Sequence, residues 1–287
     1  MNPVLPGNSP LRARNGQQLG SLTDINRLEL DEKERIYAGL LPLRLFDYLQ
    51  ISPQSLCGAD GLRRVTIIAP EGMALLRLEV RHQPDDTRPV FFLDLAETHF
   101  HQMELAFCII RDPFAQQFDV DLDENGAINY FASHGRNIPE ELAAMKAGLY
   151  PNQTSRGLTM FGEFFAIFER FVDALSMDMV LAEPLTYDNA IRYEKYGFDY
   201  LSGRRLMGEI DREFAPGGEL YQRMDGSTPF RMRGMETTVH GRSWALHDGV
   251  RDGACQNPLL EQPWDEVKIY KTVGVNAGVT TFRNPSP

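Results

Sequence analysis

The chain has 287 residues, with 29 Lys plus Arg against 40 Asp plus Glu, a formal net charge of −11. Affinity for a phosphate backbone comes mainly from clustered cations, and no basic patch interrupts this acidic balance, so nucleic acid is excluded as a partner. The 43% hydrophobic and 24% charged content is that of an ordinary globular chain, and no window holds the ~18 to 20 apolar residues of a membrane span.

The length predicts one large domain with extensions. Residues 1–20, MNPVLPGNSPLRARNGQQLG, carry Pro, Gly and charge where a secretory signal needs an apolar stretch, and read as a flexible arm. Cys57, Cys108 and Cys255 form no CxxC pair. That usage signals neither a disulfide framework nor a zinc knuckle, and fits a reduced, cytoplasmic compartment.

In chain order, DEKERIYAGLL (31–41) predicts a helix with acidic residues at its start. Pro42 interrupts it before LRLFDYLQI, which continues as helix. From Arg64 the texture turns to β in four runs, VTIIAP, MALLRLEV, PVFFLDLAET and QMELAFCII, bounded by turn residues. A hairpin is predicted over FDVDLDENGAINYF, where Asn125-Gly126 supplies a tight turn. PEELAAMKAGL (139–149) predicts a short helix with Pro at its first turn. Phe161, Phe164, Phe165, Phe168, Phe171, Val172 and Leu175 then recur at spacings of three and four, the apolar face of a helix packed on the sheet. DMVLAEPL predicts a buried strand, and Asp188 to Tyr196 a second helix. Beyond residue 202 only TTVHGRSWALHD reads as strand, and VKIYKTVGVNAGVTTFRNPSP reads as an edge strand with a loose tail or an intersubunit arm.

Two segments of the middle third carry a resemblance. Ser155-Arg156-Gly157-Leu158 opens the aromatic helix, and Asn189-Ala-Ile-Arg-Tyr-Glu-Lys-Tyr-Gly-Phe198 follows the buried strand. With the order of strands, loop, helix, strand and helix, these segments resemble the GNAT acyltransferase superfamily. The implied fold is α+β: a mixed, mostly antiparallel central sheet flanked by helices, with N- and C-terminal extensions. Residues 1–60 would be an arm and helical extension, 61–202 the acyltransferase core, and 203–287 a β-rich extension of the same domain. The implied activity is direct transfer of an acyl group, acetyl first among them, from a coenzyme A thioester to an amine. The acceptor would be a small molecule or a peptide, with neither nucleic acid nor membrane as partner and a homodimer left open.

The resemblance assigns the coenzyme A pyrophosphate to Thr154, Ser155, Arg156, Gly157, Leu158 and Thr159. The first-turn amides of a helix lack internal acceptors and sit at its positive end, and glycine lets a phosphate approach the main chain. The family carries Arg or Gln where Thr154 stands and a small residue where Thr159 stands. Asn189 would contact the pantetheine arm, and Tyr193 would protonate the departing thiolate. An ammonium must lose a proton before it attacks a thioester. Glu104 takes the role of base, with Glu97 and His99 as nearby alternatives.

Two rival classes stand beside this reading. One is a catalytically silent ligand-binding protein of the same fold. The other is a metal-dependent enzyme using His99 and His101, which an HxH strand would present on one face with Glu104 close by; the acyltransferase reading expects no metal. Asp121 to Ile128 resembles half of an EF-hand loop, but position twelve is Ala132, so a plain hairpin is expected. His82, His134, His240 and His247 read as structural or surface residues, and Arg231, Arg233 and Arg242 as a small anion patch or solvent-facing decoration.

Overall fold

The computed structural model describes residues 9–130, 135–253 and 255–283. The architecture is α+β, with a seven-stranded mixed sheet flanked by helices; the strand order is β1-β2-β3-β4-β5-β7-β6. The chain divides into two compact units built from interleaved segments. The first runs up to Phe114 and adds Gly157–Ala182 and Thr272–Val275. The second holds Ala115–Arg156, Glu183–Lys271 and the chain from Asn276.

In the first unit, β1 (Val65–Ile68), β2 (Leu75–Val80), β3 (Phe91–Glu97) and β4 (Met103–Ile110) form an antiparallel meander, joined in parallel by β5 (Met179–Ala182). Val80, Phe91, Leu78, Leu93, Leu76 and Leu95 line one sheet face and are buried. The helix over Phe161–Ala174 packs on that face, its Phe164 ring meeting Phe91 edge-on at 5.5 Å. Phe164, Phe165, Phe168, Phe171 and Val172 are buried on it, as their spacing requires. Truncating the fully buried Phe168 removes a ring whose cavity cannot fully collapse. Phe168→Ala is expected to cost about 3–5 kcal/mol, read as a lowered denaturant midpoint with unchanged m-value.

Helices α1 (Leu22–Asn26), α2 (Leu30–Ala38) and α3 (Leu43–Leu49) precede the sheet. Buried Tyr37 donates to Asn26 Oδ1 at 2.5 Å, and the Asn26 amide donates to the carbonyls of Met73 and Leu75 at 2.7 and 2.9 Å. Burial raises the Tyr37 phenol well above its usual range. The expected N-terminal arm is corrected over residues 9–20. A bridge pairs Arg12 with Gln18, Leu11 N–H bonds the Ala174 carbonyl at 2.8 Å, and Leu11, Ala13 and Leu19 are buried. Three apolar side chains among polar ones suffice to fasten the segment.

With the first unit's helix over Phe161–Ala174 numbered α5, the second unit contains α4 (Ile138–Lys146), α6 (Tyr187–Lys195), β6 (Asp199–Ser202), α7 (Arg204–Glu213), α8 (Glu219–Gln222), α9 (Val239–His247) and, up to Lys271, β7 (Lys268–Thr272). Phe118, Val120, Ala144, Leu149, Phe230 and Trp244 form its core cluster, with Trp244 Nε1 donating to the Leu149 carbonyl at 2.9 Å.

Two expectations fail here. TTVHGRSWALHD is not a strand: it contains α9, capped by the Thr238 hydroxyl accepting from Gly241 N–H. Among the described residues of 203–287 the regular structure is helical apart from β7, where β structure was expected, and β7 is interior in the strand order, antiparallel to β6. Beyond it, Thr281 N–H and Oγ1 both bond Glu194, so the described part of the tail is fastened to α6. Among the described residues, no helix is long and apolar enough to cross a membrane.

Candidate functional site

The parallel contact of β4 with β5 is short. Met103 pairs with Val180 and Glu104 with Leu181, after which β4 continues from Leu105 to Ile110. The β3–β4 register shifts between Asp94 and Leu95: Asp94 faces Phe107 while Leu95 faces Leu105, which makes Ala106 the extra residue of a bulge on β4. A bulge bends its strand and re-aims the groups beside it. Ala106 is exposed on an interior strand. Cys108 and Ile110, opposite the fully buried Leu93 and Phe91, are themselves only half-buried. Among the described residues the pairing of β4 with β5 thus ends at Glu104, a notch in the ladder beside the exposed Ala106.

Glu104 stands where the notch begins, half-buried between Ala96 and Leu181, with no hydrogen bond or ion pair among the described residues. Its alternative Glu97 is structurally engaged, accepting from Leu22 N–H at the start of α1 and facing His101 Nδ1 at 3.1 Å. The HxH reading is corrected, because β3 ends at Glu97. Residues 98–102 close the hairpin through Thr98 N–H to Gln102 O, with His101 at a φ of 58° and His99 exposed. The two imidazoles lie in a turn, not on a strand face, and no group of three or more potential metal ligands is gathered among the described residues.

Leading into α5, Gly157 has a packing role: a Cβ there would stand 2.9 Å from the Ile110 carbonyl oxygen at the end of β4. Leu158 is half-buried, and Thr159 is exposed with a φ of 55°. That left-handed conformation is costly for a β-branched residue, about 1–3 kcal/mol, and is the conformation glycine adopts freely. The first internal bond of α5 runs from Phe164 N–H to the Met160 carbonyl, so the Gly162 and Glu163 amides have no acceptor within the helix.

The remaining predicted residues belong to the second unit. The Thr154 carbonyl accepts from Phe118 N–H at 2.7 Å, whereas the Ser155 hydroxyl is enclosed with no partner among the described residues. Arg156 is exposed, with no ion pair among the described residues. Asn189 and Tyr193 lie four residues apart on α6 and share one of its faces. Both are half-buried, and the Tyr193 ring meets Phe198 edge-on at 4.9 Å. The structure thus gathers Glu104, Gly157, Leu158 and Thr159 in one unit, and Thr154, Ser155, Arg156, Asn189 and Tyr193 in the other.

The EF-hand-like segment is a hairpin turn. Asp123 accepts from the Asn125 and Ala127 amides, bonds that hold its carboxyl below the usual range. Ala132 and His134 lie outside the described residues. His247 and His240 have partners that no spacing announced: His247 bonds the buried Glu141, and His240 the Leu149 carbonyl. His240 also belongs to a cluster with Tyr150, Asp188 and Arg192, of which only the Asp188–Arg192 helical spacing was readable beforehand. Arg231 pairs with Asp248 and Arg242 with Asp211, while Arg233 bonds the Tyr221 carbonyl, so these arginines serve internal contacts. Comparison with family models, with curated proteins and with solved structures returns no match.

Proposed function

We propose that the chain transfers an acyl group from a coenzyme A thioester to an amine by direct attack. The observation that carries this reading is the notch beside β4, where parallel pairing ends at Glu104 next to the exposed Ala106 bulge. Backbone donors in such a notch suit the amide-rich pantetheine arm, and a fixed N–H aimed at the thioester carbonyl stabilises the developing oxyanion without reorganisation. The Gly157 approach to Ile110, the Gly162 and Glu163 amides with no acceptor within α5 and the exposed Arg156 charge all suit a pyrophosphate.

In this reading Glu104 takes the proton from the ammonium, the amine nitrogen bonds the acyl carbon, and the carbon–sulfur bond breaks. Tyr193 gives a proton to the departing thiolate and regains one from the nitrogen, which sheds its second proton on becoming the amide. A phenol of ordinary pKa near 10 is a weak donor to a thiolate whose acid lies near 8.5, so position matters more than acidity.

The test is thiol release from acetyl-coenzyme A in the presence of an amine panel. Turnover is expected, with Tyr193→Phe lowering kcat roughly 10²-fold at unchanged thioester affinity. No thiol release with any amine would sink the transfer reading. The enclosed Ser155 hydroxyl and the Tyr193 ring packed on Phe198 favour a second reading, a thioester-binding protein without turnover. Coenzyme A binding without thiol release is its signature.

A further inference from the structure

Four polar side chains meet within the second unit where α6 packs against α9, and the chemistry above uses none of them. Asp188, in the first turn of α6, is buried and accepts from the Thr186 hydroxyl at 2.8 Å. Its other carboxylate oxygen is 4.0 Å from the Arg192 guanidinium one turn on, too far for a hydrogen bond. The guanidinium lies over the Tyr150 ring, 5.9 Å from its centroid, and the His240 ring meets Tyr150 edge-on at 5.3 Å. His240 Nε2 is 2.9 Å from the Leu149 carbonyl. Trp244 Nε1, an indole N–H that only donates, lies 3.3 Å from the same Nε2.

This geometry leaves functional groups unspent. A structural Asp–Arg pair on one helix face would normally close to hydrogen-bond distance, yet here the charges are held apart and Arg192 and Tyr150 stay half-exposed. Burial raises the Asp188 carboxyl above its usual range, which further weakens its neutralisation of the guanidinium. A planar guanidinium with open donors suits a carboxylate, which it can engage bidentately. Close to it, at 4.0 Å, the Asp188 carboxylate oxygen is an acceptor, the kind of group that an ammonium requires. A guanidinium with open donors beside a carboxylate acceptor complements a molecule that carries both charges on neighbouring atoms.

We propose that Tyr150, Asp188, Arg192 and His240 form a binding site for an amino-carboxylate, a free amino acid or a close analogue. Its carboxylate pairs with Arg192, and its amine faces Asp188. Resting on the acyl-transfer reading, this ligand is the acceptor. Arg192 immediately precedes Tyr193 on α6, about 100° around the helix axis. Binding of the ligand does not itself require the transfer reading.

The test is calorimetric titration of the full chain, without thioester, using the common L-amino acids, the N-acetyl derivative of the best of them, ethylamine and inorganic phosphate. At least one amino acid is expected to bind. Its affinity should fall roughly tenfold or more in Arg192→Gln and on N-acetylation, while Arg27→Ala, at an exposed arginine of the first unit, leaves it unchanged. Arg192 is half-exposed, so its variant should keep the wild-type melting temperature, and Tyr150→Phe supplies a second, milder lesion. Equal amino-acid binding in Arg192→Gln, binding of phosphate alone, or no binding of any amino acid overturns the assignment. Coenzyme A titrated into the same preparation reports on the transfer reading separately. Amino-acid binding without coenzyme A binding upholds this site and sinks the transfer reading, and the reverse result overturns this site alone.

Discussion

Gly241→Ala is expected to destabilise the protein by about 2 kcal/mol or more, whereas Gly208→Ala is expected to stabilise it by about 0.5–1 kcal/mol. Both glycines lie inside helices, α9 and α7, where alanine is the better helix former. They differ in what a methyl group would meet. At Gly208 nothing lies within 4 Å of the added Cβ, so the lower backbone entropy of the unfolded chain decides the sign. At Gly241 the Cβ would stand 2.1 Å from the Met235 carbonyl oxygen and 2.7 Å from its Cα. Main chain cannot rotate away as a side chain can, so α9 must separate from the turn over Met235–Thr237. That turn also supplies the Glu236 carbonyl to the Arg242 guanidinium at 2.6 Å. Urea midpoints of the two variants against wild type measure this directly. Stabilisation by both substitutions would mean that α9 does not approach Met235 so closely.

The second large effect is expected at Glu141. This carboxylate is 1% exposed and accepts from Arg136 Nε and Nη2 and from His247 Nε2. Arg136 continues to Asp248 at 2.9 Å, which in turn accepts from Arg231 and the Thr228 hydroxyl. The network joins α4, the end of α9 and the 228–231 segment, all in the second unit. Glu141→Gln keeps the shape but removes the charge that balances a half-buried guanidinium, and about 3–5 kcal/mol is expected to be lost.

The pH dependence has a definite sign. Burial alone would raise the Glu141 carboxyl, but hydrogen bonds from His247 and Arg136 outweigh it and hold the folded value below the ordinary 4.5. At Asp248 burial likewise pushes the carboxyl up, and the bonds from Thr228 and Arg136 with the Arg231 charge outweigh it and hold the carboxyl below its usual range. The unfolded chain therefore binds more protons in this range, and the stabilisation is present in full above the ordinary carboxylate values. It is lost as pH falls through the folded ones. The gap in melting temperature between wild type and Glu141→Gln should be widest near neutrality and close in acid. A gap that widens as pH falls contradicts the network.

The elements that local pattern determines were legible before the structure. The aromatic spacing of α5 could only be one helix face, and the runs from Val65 to Ile110 are separated by turns short enough to force a meander. α9 was illegible because Thr238, Val239 and Gly241 lower helix propensity. The helix forms there because Trp244 and Ala245 bury against the second unit's core and because Gly241 admits the Met235 main chain. α7 carried a readable signal in Leu206, Met207 and Ile210, which Gly208 and six charged residues masked. The interior position of β7 depends on strands far away in sequence, which no local window contains.

The candidate site divides the same way. Gly157 before α5 and Tyr193 on α6 could be located from motif and helical spacing. The bulge at Ala106 and the early end of β4–β5 pairing are properties of register between strands, invisible along one of them. The meeting of Tyr150 and His240 with Asp188 and Arg192 is likewise a product of tertiary packing.

The central claim, that the notch beside β4 takes a coenzyme A thioester, is tested most directly by calorimetric titration of wild type and Ala106→Trp with coenzyme A. Ala106 is exposed, so the indole should fill the notch without unfolding the chain, and an unchanged melting temperature checks that. Micromolar binding by wild type, abolished in Ala106→Trp and weakened roughly tenfold in Arg156→Ala, is the predicted result. Absence of binding by wild type, or equal affinity with the notch filled, contradicts the account.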